Sequence, residues 1–500
     1  MSTAILAPPA KPVLSPPTSG NTPALQNRKV ALLVASLVAG LISYDFASTN
    51  VAVATLRDAL GFSPATLPWI ISAYTLTFGG FLLLAGRVGD IFGRRKVLLA
   101  GLAIYLVFSV ISAASDSVWL FLVTRVAKGI GAALLAPNAL ALINSLYAEG
   151  RDRHGALASY AVVGSAGYAI GNFLGGVLTS YSWRATVLVS VLFSLITFVL
   201  AWRGVRATPR AVVSGGFDYL GAIASTLAFG ALIFGVNKSL ELGVTSPVTQ
   251  GFVGLSIASF AFFFYHINRH PFPLLPPRLL RVRNIIGAGG VVFFLIASGN
   301  ATFFQISLFM QDVLHYTPKE TGIGLIPFVL VALVASFYVH KPLNRFGPHK
   351  TLVVSLVFVL LFVLSFLNLD STSTYWLGLI PGLVLWDLAF PFAYISTRVP
   401  AGAGLPAEDQ GIANGINFSF EQLGSAFGIS VLAAVNTAAR TAHGGDPVAA
   451  SVAGYHWAFI VSGFLMFLAV AIAAFVIRPA TKPAPQEERL PDFAPLGGVQ

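Results

Sequence analysis

Five stretches of this chain, residues 30–44, 67–85, 97–114, 185–202 and 351–369, contain no Asp, Glu, Lys or Arg. A helix needs about 20 mostly apolar residues to cross a bilayer, so runs of this kind read as membrane-spanning helices. Composition agrees. Of the 500 residues 56% are hydrophobic and 10% charged, against about a quarter charged in soluble domains. A water-soluble chain of this length folds as several domains, each with a charged surface. The fold class is therefore an all-α polytopic membrane protein.

Fourteen spans are predicted, over 30–54, 67–86, 97–114, 119–140, 156–179, 185–202, 219–236, 251–267, 285–312, 321–340, 351–369, 375–397, 412–436 and 456–477. An even number puts both termini on one side. With both termini in the cytoplasm, 23 of the 30 Lys and Arg residues fall on cytoplasmic segments and five (Arg57, Arg184, Lys238, Lys319, Arg440) outside, while Arg125 and Lys128 lie within a span. That asymmetry is the one membrane proteins show, and it explains the net charge of +11 without any nucleic-acid partner. Trp69, Trp119, Trp183, Trp376 and Trp457 fall at predicted outer interfaces and Trp202 at an inner one, where amphipathic rings settle. Cysteine is absent, which excludes disulfides, thiolate metal sites and a cysteine nucleophile. Residues 1–29 show no cleavable-signal pattern. They and residues 478–500 are Pro-rich and polar, and read as disordered cytoplasmic tails.

The chain carries a faint internal repeat. Shifted by 254 residues, DIFGRRK (90–96) falls on NRFGPHK (344–350); shifted by 256, GALASYAVVGSAG (155–167) falls on GIANGINFSFEQL (411–423). Near-equal offsets suggest two like-oriented halves, a transporter architecture. The expected organisation is a six-helix bundle over 30–202, a linker over 203–284 holding two extra spans, and a second six-helix bundle over 285–477.

The loop after the second span, AGRVGDIFGRRKVLLAG (85–101), crowds five charges among glycines. It resembles the signature Gly-x-x-x-Asp-x-x-Gly-Arg-Arg/Lys of the major facilitator superfamily, carried here by Gly86, Asp90, Gly93, Arg94 and Arg95. TRVAKGIGAALLAP in the fourth span is similar to that family's Arg-x-x-x-Gly-x-Gly segment, and GYAIGNFLGG (167–176) to its antiporter signature. DFASTNVAVATL (45–56), the WRATV after the fifth span and GIANGINFSFEQLGSAFG in the thirteenth resemble the fourteen-span drug:proton antiporter branch. Two positions depart from the pattern: Asn172 stands where the antiporter signature has Pro, and Lys128 where Gln is usual. The resemblance implies a major-facilitator fold of 14 transmembrane helices and proton-driven export of amphipathic small molecules, such as drugs, antibiotics and lipophilic cations.

Within that frame Gly86, Gly89 and Gly93 permit close helix approach. The resemblance implies that Asp90 and Arg94 brace the cytoplasmic closure between halves. An ionisable group at mid-bilayer costs about 2.5–3.5 kcal/mol and so usually faces a partner or a cavity. Five such groups stand out: Asp45, Arg125, Lys128, Asp387 and Glu421. Arg125 and Lys128 share a helical face, and Asp45 lies at a depth that can meet Arg125. A proton-coupled carrier needs a carboxyl whose proton affinity changes with hydration and with nearby cations. Asp45 is the first choice, tuned by Arg125, with a static ion pair as the alternative; Glu421 and Asp387 are candidates in the second half. Gly164, Gly167, Gly171, Gly175 and Gly176 form a small-residue stripe beside Asn172. Such a stripe gives tight helix packing, and the resemblance makes it a rocking interface between halves. Asn50, Tyr74, Lys128, Asn138, Tyr168, Asn300, Gln305, Trp386, Phe390, Asn417 and Phe420 are polar, charged or aromatic residues within spans. Together they suit a cavity for amphipathic, often cationic molecules.

Other functions find less support. No Gly-x-x-x-x-Gly-Lys-Ser/Thr loop is present for an ATP-driven pump. No His/Asp or His/Glu cluster marks a membrane enzyme, and no polar stripe a channel. His266 and His270 share helical spacing, but at a loop junction with no carboxylate nearby, so no metal and no cofactor is expected. The alternatives that remain are a proton-coupled importer and a narrow-specificity metabolite exporter of the same fold. The expected partners are a small-molecule substrate, protons and the lipid bilayer. A single-chain cavity makes a monomer the default, in a cell membrane, and short loops suggest the bacterial inner membrane.

Overall fold

The computed structural model describes residues 28–477 apart from 148–150, 207–217, 244, 272, 274, 403–406 and 444–445. Its helices are α1 (Arg28–Leu60), α2 (Trp69–Phe92), α3 (Arg94–Ala113), α4 (Val118–Leu146), α5 (Arg151–Thr179), α6 (Trp183–Gly204), α7 (Tyr219–Leu242), α8 (Pro247–Ile267) and the short α9 (Pro277–Leu280). They continue with α10 (Arg283–Asp312), α11 (Pro318–Gly324), α12 (Ile326–Tyr338), α13 (His340–Phe346), α14 (Pro348–Ser365), α15 (Ile380–Gly402), α16 (Ala407–His443) and α17 (Pro447–Phe475). Among the described residues twelve helices are long and apolar enough to cross a membrane. Two of the fourteen expected spans fall outside that number. In α2 the apolar part described is Trp69–Leu82. The expected span over 321–340 is divided among α11, α12 and α13, with Pro327, which has no N–H to donate, in the first turn of α12.

The helices are amphipathic in the inverse sense of a soluble protein. In α6 Thr186, Ser190, Ser194, Thr197 and Ala201 are buried at three- and four-residue spacing, while Leu188, Leu192, Leu195 and Ile196 are exposed. Small and hydroxyl side chains let helices approach in lipid, and the bulky aliphatic face meets acyl chains. Helix starts are satisfied locally. Ser117, Ser182, Asp218 and Asp446 accept N–H groups of their own first turns, and Thr317 with Glu320 forms a capping box at α11.

Packing partners recur along the chain. In the first six helices α1 packs on α4, α5 and α6, α2 on α4, and α3 on α4 and α6. Among the later ones α10 packs on α15, α16 and α17, α12 on α15, and α14 on α15 and α17. The two sets meet where α2 packs on α16 and α5 on α11 and α12. Gly93 joins α2 to α3 with φ of 95°, and Gly347 joins α13 to α14 with φ of 80°. These are the two glycines aligned by the sequence repeat, and both need a backbone that favours glycine. The α7–α8 pair lies to one side, with α7 against α2 and α16.

Candidate functional site

Between the two sets of helices lies a cavity of about 490 Å³. Tyr74 and Tyr168 from the first six helices line it, as do Asn300, Trp386, Phe390 and Tyr394 from the later ones. Its aromatic wall is layered. Trp386 stacks on Phe390 at 4.7 Å and Phe390 on Tyr394 at 5.3 Å between ring centroids. Phe303 meets Trp386 edge-on at 5.4 Å. The run Trp386, Phe390, Tyr394 is one stripe of α15 at four-residue spacing, so one helix face supplies this stack. Gly299 makes room for it, because any Cβ there would collide with the Trp386 ring.

Two carboxylates also line the cavity, and their surroundings differ. Glu421 Oε2 accepts from Arg398 Nη2 at 2.9 Å and from the Tyr394 hydroxyl at 2.8 Å. Asp387 is buried, lines the same cavity, and its Oδ2 meets no hydrogen-bond donor among the described residues. Among the described residues Glu421 thus has a counter-charge in Arg398 and Asp387 has none. Arg398 was expected in a loop; α15 runs on to Gly402 and keeps it inside the helix. No apolar periodicity announces such an extension, because Arg398 lies beyond the run that defines the span.

The third charge group lies behind Tyr74, away from the cavity lining. Asp45 is buried between Arg125, whose Nη1 is 2.6 Å from Oδ2, and Lys128, whose Nζ bonds Oδ1. The Ser190 hydroxyl donates to Oδ1 at 3.1 Å and Arg125 Nε to the Ile70 carbonyl at 2.7 Å. The Arg125 guanidinium lies over the Tyr74 ring and the Lys128 ammonium over Tyr105. The structure thus brings Asp45 and Arg125 together and adds Lys128, which belongs to this cluster and not to the cavity wall.

Other residues expected at the cavity have different places. Asn138 donates to the Ala85 and Leu134 carbonyls, tying α4 to α2 beside Pro137. Gln305 accepts from Asn436 at 2.9 Å, and Asn417 donates to Ala413 one turn back. The Asn50 carbonyl accepts from Ser307 across the two helix sets. Phe420 fills the space over Gly289 and meets Phe293. Buried polar groups are hydrogen-bonded within the helix packing as well as at cavities, and sequence depth alone does not tell the two apart.

The glycine stripe of α5 also resolves by direction. A Cβ at Gly171 would stand 2.7 Å from the Tyr44 carbonyl, one at Gly175 2.8 Å from Ser48 Cα, and one at Gly167 would enter the Gly40 backbone. Gly164 meets only ordinary contact with Ala39. These positions pack α5 on α1 within the first six helices. Only the Asn172–Gly176 end reaches the other set, where a Cβ at Gly176 would stand 3.0 Å from Gly322 Cα. The same end of the molecule holds a polar seal. Arg57 Nη1 bonds both Asp312 oxygens at 3.0 Å, and the Tyr455 hydroxyl donates to Asp312 at 3.3 Å. Neither Arg57 nor Asp312 was singled out in the sequence, because each reads as a span-end charge.

Of the loop signature, Gly86 lies near Pro137 and Gly93 makes the turn. Arg94 Nη1 donates to the Ala141 carbonyl at 2.7 Å. Arg95 donates to the Trp202 carbonyl at 2.8 Å and to that of Val205. These contacts run to α4 and to the end of α6, within the first six helices. The Asp90 side chain lies outside the described residues. The statement that His266 and His270 have no carboxylate nearby is corrected. Asp218 Oδ1, 48 positions earlier in sequence, lies 2.7 Å from His266 Nε2.

A sequence model of the Major Facilitator Superfamily matches residues 35–429. The chain is 32% identical over 477 residues to the cephamycin export protein CmcT of Amycolatopsis lactamdurans, covering 93% of this chain and 96% of that one. It is 30% identical over 494 residues to the puromycin resistance protein pur8 of Streptomyces alboniger, covering 95% and 96%. Its fold matches the crystal structure of a D-xylose–proton symporter with a TM-score of 0.65 at 14% identity, over 90% of this chain and 98% of that one. The chain belongs to the Major Facilitator Superfamily.

Proposed function

We propose that the protein is a secondary active transporter that exports amphipathic small molecules, driven by protons, through alternating access. The names of its relatives, an antibiotic export protein and an antibiotic resistance protein, support export as the direction. The observation that carries the substrate site is the aromatic cavity with the uncompensated carboxylate of Asp387. A cation with an apolar body finds there both a counter-charge and ring faces, and a cation over a ring gains about 0.5–2 kcal/mol.

We read the chain as fourteen spans, adding α2 and the broken α11–α13 to the twelve, with both termini cytoplasmic. The halves are 30–202 and 285–477, joined by a linker carrying α7 and α8. The recurring packing partners and the matched glycines Gly93 and Gly347 support this division. On this reading the Arg57–Asp312 seal is extracellular and the structure is closed on that side. The loop signature of Gly86, Asp90, Gly93, Arg94 and Arg95 then braces the cytoplasmic side in the opposite state.

Proton coupling is assigned to the Asp45 cluster. A carboxylate gives up its proton when cations close on it and takes one when they withdraw. Movement of α1 against α4 changes those distances. One proton moving down 100 mV supplies about 2.3 kcal/mol, enough for more than tenfold accumulation at about 1.4 kcal/mol per decade. The substrate site is tested by titrating purified protein with a fluorescent lipophilic cation. Asp387→Asn is expected to weaken binding about tenfold, the ~1.4 kcal/mol scale; unchanged affinity removes Asp387 from the site.

A further inference from the structure

One cluster of metal-binding side chains takes no part in transport as described. It lies where α7 begins and α8 ends. Asp218 caps α7, its Oδ1 accepting the Gly221 N–H at 2.7 Å. The same oxygen lies 2.7 Å from His266 Nε2, in the last turn of α8. His270 follows four residues later, past the helix end, with its ring 5.0 Å from that of His266 at 35°. One ligand-capable atom from each of the three lies within 4.8 Å of the other two.

Two imidazoles and a carboxylate converging on one point are a donor set for a late divalent ion, with an open position for water. The donors are also oriented from behind. The Gly221 N–H fixes the carboxylate, and any Cβ at Gly221 would run into that carboxylate. The His266 ring stacks on Phe262 at 5.7 Å and 19°. Such supporting contacts are what hold ligands in metal sites. The carboxylate side chain is 1% exposed and His266 16%, so the imidazoles stand between it and solvent. Bond lengths of about 2.0–2.2 Å to nitrogen and oxygen require the widest separation to close by roughly 1 Å. His270 lies in non-helical chain and can supply that movement.

We propose that Asp218, His266 and His270 form a binding site for a divalent ion of the zinc class. The ion fastens the start of α7 to the end of α8 and to the chain that leads into the second half. The neighbouring core supports a clip at this place. Phe263 and Ile267 of α8 pack there with Leu275, Leu279 and Ile285 of the following segment and with Ile416 of α16.

The test is a Co²⁺ titration of the full chain, purified without a polyhistidine tag and stripped with chelator. The visible absorption of bound Co²⁺ is the signal, and Zn²⁺ the competitor. The wild type is expected to bind one equivalent, displaced by Zn²⁺. His270→Ala, outside the helices, is expected to weaken binding by at least about tenfold with unchanged helix content by circular dichroism. His266→Ala is the second variant and is expected to do the same. Asp218→Asn is not used, because it also alters the α7 cap. Absence of saturable one-equivalent binding in the wild type, or wild-type affinity in either His variant, would overturn the site.

Discussion

At the scale of single residues, the three carboxylates at the cavity and behind it are sorted by their partners. Among the described residues Asp45 faces two cations, Glu421 one, and Asp387 none. Removing one member of a buried charge group costs about 3–5 kcal/mol, because the remaining charge stays uncompensated. Asp45→Asn strands both Arg125 and Lys128, and is expected to lower thermal stability sharply. Lys128→Gln restores one cation to one carboxylate, and is expected to melt at or above the wild-type temperature in the same detergent. A large loss of stability in Lys128→Gln would show that the second cation is required for the fold. Arg398→Ala has the opposite sign to Asp387→Asn. It leaves the Glu421 charge facing the cavity, so a lipophilic cation is expected to bind more tightly, as read by the same fluorescence titration. Much of this was legible in sequence, since a lone charge in an apolar run stands out. Of the partners, Arg125 for Asp45 was expected, while Lys128 for Asp45 and Arg398 for Glu421 were not. Arg398 lies just past an apolar run, and which of several buried cations a carboxylate meets is fixed only by helix rotation.

At the scale of elements, α5 shows how one stripe of small residues serves two surfaces. Gly167, Gly171 and Gly175 pack it on α1, while Gly176 turns to Gly322 of α11. Overpacking a tight contact costs about 1–3 kcal/mol. Gly171→Val is expected to lose stability on that scale in a melting experiment, and Gly164→Ala to be nearly silent, since its surroundings accept a methyl group. Gly176→Val is expected to leave α1–α5 packing intact and to impair transport by obstructing closure at the seal. Equal melting losses at positions 164 and 171 would refute this division of the stripe. Spacing revealed the stripe in the sequence, but not which way each glycine points. The α7–α8 pair was equally legible as two apolar runs. The Asp218–His266 contact at their ends was hidden by the 48 positions between the two residues.

At the scale of the whole molecule, the all-helical membrane class followed from charge-free runs, because lipid forces backbone hydrogen bonding into helices, while twelve of the described helices, against fourteen expected, are long and apolar enough to cross a membrane. The break of the tenth expected span into α11, α12 and α13 was not visible in hydropathy. The conformational state also lay beyond the sequence, since it depends on contacts between the earlier and later helices. Arg57 with Asp312, and Gly176 with Gly322, close one end. Asp312→Asn is expected to loosen that end. The chain has no cysteine, so Tyr168→Cys reports access to the cavity directly. Its labelling by a membrane-impermeant thiol reagent from outside is expected to rise when Asp312→Asn is added, and an unchanged rate would remove the seal from the gating cycle.

Proton-driven export is tested most directly in liposomes holding the purified protein, an imposed pH gradient and an interior pH dye. A panel of lipophilic cations and antibiotics is added, and proton movement is followed for the wild type and for Asp45→Asn reconstituted to the same amount. Substrate-triggered proton movement is expected in the wild type and not in the variant. Movement that survives in the variant would transfer the coupling role to Glu421 or Asp387. No substrate-triggered movement in the wild type with any member of the panel would contradict proton-coupled drug export.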